Sequence, residues 1–189
     1  MTAWRILVAA AIVGVALVLR VPLEASPVTH MLVQMPGLAL AGALLAPHSP
    51  EQAGWNRGGA ASLLAAVFTA AFWMLPRSVD AAVSVPLVDA AKFATLPLLV
   101  GMPLVIGWSR AHPLLRGFLK AQALSMLGIL AFLYTHAPVR ICNSYLVEDQ
   151  FRLGIGFLAV AIALALLWTA PLLVGEATRP QAGLPAGAG

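Results

Sequence analysis

Long continuous apolar runs separated by short polar breaks dominate the chain. Six stand out: Trp4–Leu19, Val28–Ala46, Gly59–Leu75, Val88–Trp108, Leu115–Tyr134 and Leu153–Val174. They are rich in Leu, Ala and Val and lack the two-residue alternation of a membrane barrel. Within lipid every backbone polar group must be paired inside its own segment, so the runs are predicted to be helices. Several hold only 16 to 19 strongly apolar residues, just under the roughly 20 that cross a bilayer. Trp4, Trp73, Trp108, Tyr134 and Trp168 flank the runs, where amphipathic rings anchor at the interface. Pro97 and Pro103 fall inside the fourth run and predict a break in its hydrogen-bond ladder. Gly37 with Ala41 predicts close helix contact in the second. The first run can also be read as a cleavable leader, with Arg5 before it and "LEAS" after it. The large Leu23 at that site and Arg20 at the exit weigh against cleavage.

Composition strengthens the membrane reading. Of 189 residues, 61% are hydrophobic and 10% charged, with mean hydropathy +0.92, whereas a soluble domain carries roughly 25% charged residues. The expected fold is an all-α polytopic membrane helix bundle of about six transmembrane helices over residues 1–175, followed by a Gly/Pro/Ala-rich, disordered tail at 176–189. A single cysteine excludes an internal disulfide. The glycines of "LGIGF" at 153–157 lack the lysine and strand context of a phosphate-binding loop.

The net charge of +4 reads as basic cytoplasmic loops, not nucleic-acid binding. With the N-terminus inside, Arg5, Arg57, Arg110, Arg116, Lys120 and Arg179 are cytoplasmic, while Arg20, Arg77, Lys92, Arg140 and Arg152 lie outside. The dense set Arg110, Arg116 and Lys120 favours this threading, with both termini in the cytoplasm. Glu24, Asp80, Asp89, Glu148 and Asp149 then share the outer face.

That threading also gathers the candidate chemistry. His30 and Met31 open the second run, His136 closes the fifth, and Cys142 lies in the loop that follows. His48 and His112 fall on the inner side. On a helix, His30 stacks with Gln34 and Met31 with Met35, about 100° away. Thioether, thiolate and imidazole ligands select Cu(I), so His30, Met31, Met35, His136 and Cys142 form a candidate outer copper site. The plainer reading is that the methionines pack and His30 hydrogen-bonds near the interface. Cys142 is equally read as a buried free thiol, and Asp149 with Gln150 as a helix start. Asp89 and Lys92, three apart, are expected to pair at the membrane edge. No acid or base lies mid-span, which argues against an ion-coupled pump.

"HMLVQMPGLALAGALLAP", "RSVDAAVSVPLVDAAKFATLPLLVGMPLVIGW" and "SYLVEDQFRLGIGF" occur in an order that resembles the CtaG-type cytochrome c oxidase assembly factors, across roughly residues 27–175. The resemblance implies a bacterial inner-membrane protein without catalytic turnover that helps deliver copper to a respiratory haem–copper oxidase. It also implies histidine at position 34 and a His-x-x-Glu-His set at positions 89, 92 and 93. Here those positions hold Gln34, Asp89, Lys92 and Phe93. The chain is thus expected to be either a divergent copper handler or a non-catalytic subunit or scaffold of a redox complex that has lost its metal. A haem- or quinone-binding subunit is a third reading, since His30 and His136 share a side.

Overall fold

The computed structural model describes residues 3–47, 54–137 and 142–175. Eight helices carry the fold: α1 Ala3–Val18, α2 Arg20–Glu24, α3 Pro27–Leu45, α4 Ala60–Met74, α5 Pro76–Ser84, α6 Pro86–Arg110, α7 Pro113–His136 and α8 Val147–Gly175. There is no strand among the described residues. Each of the six predicted runs matches a helix, with ends that overshoot it by no more than one residue. The tail at 176–189, His48, Arg140 and Arg179 lie outside the described residues.

Four helices, α3, α6, α7 and α8, are long and apolar enough to cross a membrane. α4 qualifies as a fifth only together with α5, across a 72° bend at Leu75, where Pro76 removes a backbone donor. α1 is apolar but has 16 residues, about 24 Å at helical rise, against a hydrocarbon core of about 30 Å. Side-chain placement agrees with a lipid environment. Phe68, Phe118, Phe132, Ile129, Leu166 and Leu167 all face outward, while the interior holds a lysine, a histidine, two glutamines and two carboxylates. A soluble protein distributes these residues the other way.

The prolines do not end α3 or α6. Each helix widens to a π-turn, at His30–Gln34 before Pro36 and at Leu96–Gly101 around Pro97, then resumes as α-helix. A π-turn re-pairs carbonyls that a proline would otherwise orphan. α3 and α6 cross with their backbones in contact: a Cβ at Gly42 would collide with the Pro97 carbonyl, and one at Gly101 with that of Ala39. Of the predicted pair Gly37 and Ala41, Ala41 is fully buried, and the tightest approach falls on its neighbour Gly42. Gly37 has only Ile12 Cγ2 nearby, at 3.9 Å from a built Cβ.

α1 packs along α3, α4 lies against α6, and α7 pairs with α8, which meets the rest beside Pro27–Thr29. The core links Met31, Met35 and Leu38 to Trp73, Val79, Leu96, Tyr134, Leu153 and Phe157. The link from α7 to α8 is stapled down. Asp80 accepts the backbone N–H groups of Asn143 (2.8 Å) and Ser144 (2.9 Å), and Gln150 Nε2 donates to the carbonyls of Cys142 (2.9 Å) and Tyr145 (3.2 Å).

Candidate functional site: a lysine-centred polar cluster

Lys92 lies six residues into α6, about 9 Å along its axis from Pro86, and is 0% exposed. An ammonium carries three protons, and each finds an acceptor: Glu24 Oε1 at 2.6 Å, Gln34 Oε1 at 2.9 Å and His30 Nε2 at 3.1 Å. Asp89 Oδ1 approaches to 2.9 Å but makes no hydrogen bond, so its tie to Lys92 is one of charge. Arg20 closes the ring from α2, with Nε 2.8 Å from Asp89 Oδ2 and 3.4 Å from Glu24 Oε2. Two cations thus meet two carboxylates, and the cluster is neutral. Unpaired charges could not remain at this burial.

The same geometry sets the histidine tautomer. Lys92 can only donate, so His30 Nε2 is the acceptor and Nδ1 carries the proton. Nδ1–H then donates to Tyr145 Oη at 2.8 Å, and that hydroxyl donates to the Glu24 carbonyl at 3.0 Å. Gln34 Nε2 donates to Glu24 Oε1 at 3.3 Å. Burial alone would push the Glu24 carboxyl up. The Lys92 hydrogen bond and charge, with Gln34 and Arg20, overcome this and hold it below the usual value. Burial pushes the Tyr145 hydroxyl up, and the Glu24 charge adds to the effect.

The predicted copper ligands are placed as follows. His30 is fully buried with both ring nitrogens engaged. Met31 and Met35 are core residues, 0% and 3% exposed. Cys142 is a buried free thiol 3.5 Å from Tyr134 Oη. Burial pushes that thiol up, with the Tyr134 hydrogen bond opposing and the Asp80 charge reinforcing, which disfavours the thiolate that a metal requires. His136 is exposed, stacked on Phe132 at a centroid distance of 4.4 Å. Among the described residues no three His, Cys, Asp or Glu side chains are grouped to hold a metal ion.

The structure does unite His30 and Gln34, the stacked pair read from the sequence, and forms the expected Asp89–Lys92 ion pair. Glu24, Arg20 and Tyr145 were not assigned to this site from the sequence. The available signal was Lys92 itself, a lone cation inside an apolar run, which needs a buried counter-charge. Glu148 and Asp149 form a surface cluster with Arg152, at 2.7 and 4.0 Å. Comparison with family models, curated proteins and solved structures finds no match.

Proposed function

We propose that this chain is a non-catalytic assembly or scaffold component of a membrane redox complex, and that a built-in cation, Lys92, occupies the place of a bound metal. The protein sits in a bacterial inner membrane with both termini cytoplasmic, so that the Lys92 cluster lies near the outer surface. One observation carries this reading. Positions 30, 34, 89 and 92, where the sequence resemblance implies metal-ligating residues, converge on one another through the ammonium of Lys92. The ammonium supplies the positive charge that a metal would supply, and Glu24 and Asp89 balance it. The cluster then acts as a structural pin, holding α2, α3, α6 and the Tyr145 segment in one geometry for a partner such as a respiratory oxidase subunit.

Copper handling at His30, Met31, Met35, His136 and Cys142 makes the opposite demand. Lys92 would have to release His30 Nε2, and Cys142 would have to leave Tyr134 and lose its proton. Metal analysis after loading with Cu(I) under reducing conditions separates the two readings. The scaffold reading expects no stoichiometric copper and no change in stability on chelation. One Cu(I) per chain, lost in a His30→Ala/Cys142→Ser variant, would overturn it.

A further inference from the structure

α7 has one packed side and one open side. On the packed side Lys120 lies over the Trp168 ring of α8, Ala131 and Thr135 meet Gly154, and Leu127 and Tyr134 join the core. Two positions along a helix turn it by about 200°, so Phe118, Gln122, Ser125, Ile129 and Phe132 form the opposite side, and all five are exposed. Their spacing of four, three, four and three residues is the repeat of a helix–helix seam. α7 is also the least buried of the four long helices.

Gln122 sets this side apart from an ordinary lipid-facing one. It lies nine residues into α7, about 14 Å along the axis, which is inside the hydrocarbon when α7 crosses a bilayer. Among the described residues its amide has no hydrogen-bond partner. Lipid tails offer none, so an unpaired amide at that depth is costly. The glycines on the same side are also unexplained by the chain's own packing. A Cβ at Gly117 or Gly128 would meet nothing within 4 Å, yet glycine weakens a helix interior.

Whatever covers this side must present both a donor and an acceptor at the depth of Gln122. A second copy does so by symmetry. Two chains inserted the same way are related by a two-fold axis along the membrane normal, which sets Gln122 opposite Gln122. Each amide has a carbonyl acceptor and N–H donors, so the pair closes two reciprocal N–H···O bonds. Like charges stay apart in such a pair, because Arg116 and Lys120 each lie two positions from Phe118, on the packed side.

We propose that the protein pairs with a second copy of itself through α7, joined at the two-fold axis by the Gln122 amides, with Gly117, Ser125 and Gly128 letting the two backbones approach. This pairing rests on α7 crossing the membrane and is independent of the role of Lys92. The test is Förster transfer between donor- and acceptor-tagged full-length chains diluted in phosphatidylcholine vesicles, which reads the paired fraction at each protein-to-lipid ratio. Gln122→Leu should raise the dissociation constant about tenfold, through loss of the interhelical hydrogen bonds. Gly128→Leu should abolish pairing while the helical circular dichroism stays that of wild type, because the chain itself leaves that position open. In native membranes Ser125→Cys, in a Cys142→Ser background, should cross-link to a second copy on oxidation, and Leu166→Cys, on the exposed side of α8, should not. Transfer no greater than random proximity at every ratio, equal pairing in wild type and both α7 variants, or cross-linking at position 125 to a different polypeptide would each overturn the proposal.

Discussion

Replacing Lys92 by methionine tests the cluster most directly. Methionine keeps nearly the same length and volume, so the cavity term is small and the loss is electrostatic. Three hydrogen bonds vanish at once, to Glu24, His30 and Gln34. Among the described residues the two buried carboxylates are left with Arg20, whose side chain is 39% exposed, as their cation, and Glu24 with Gln34 Nε2 as a neutral donor. Removing one member of a buried ion pair costs about 3–5 kcal/mol. For a chain of this length that corresponds to a fall in midpoint of roughly 6–20 °C. Thermal unfolding in detergent, followed by circular dichroism, reads this directly. The pH dependence should also change sign. In wild type the folded Glu24 carboxyl lies below its ordinary value of 4.5. Its contribution is therefore complete above that value and is lost only as pH falls through the folded value. Without Lys92, burial raises Glu24, the folded state binds the extra proton, and the variant gains stability as pH falls from 7 to 5. Glu24→Gln added to Lys92→Met should recover part of the loss, because it removes a buried unpaired charge. A Lys92→Met protein within 1 kcal/mol of wild type, or a double variant less stable than the single one, would refute this account.

Three further outcomes follow from the packing. Gly101→Ala drives a methyl into the Ala39 carbonyl and should destabilise by about 1–3 kcal/mol, read as a lowered unfolding midpoint; Gly37→Ala, where a methyl meets only Ile12 at ordinary contact distance, should be near neutral. Tyr145→Phe orphans His30 Nδ1–H and frees the Glu24 carbonyl, for a loss of about 1–3 kcal/mol and faster amide exchange over residues 142–146. Cys142 should resist maleimide in the folded protein at pH 7 and react on denaturation, because it is buried and its thiol is pushed up; equal rates in both states would contradict its placement.

The helices were legible because lipid imposes one requirement on every span, continuous apolarity, and that requirement is local. The boundaries of α3 and α6 lie within two residues of the predicted runs. The bend between α4 and α5 was less visible: "FWMLPRSVDAA" reads as a run ending, while the fold turns it by 72° into a second short helix. The site was only half readable. His30 with Gln34 and Asp89 with Lys92 are neighbours by helical spacing, which sequence exposes. Glu24 and Tyr145 reach Lys92 and His30 across 68 and 115 positions, and no local pattern encodes such distances. At Met31 and Met35 a soft ligand and a packing residue are spelled alike, and sequence alone does not separate the two roles.

The pin around Lys92 also has an order in time. A ribosome releases Glu24, His30 and Gln34 long before Lys92, and Tyr145 last of all. The three residues that accept the lysine's protons are therefore already waiting when α6 enters the bilayer, which lowers the barrier to burying a cation there. Tyr145 then arrives as the latch, so the finished bundle is locked only once its final hairpin has been delivered.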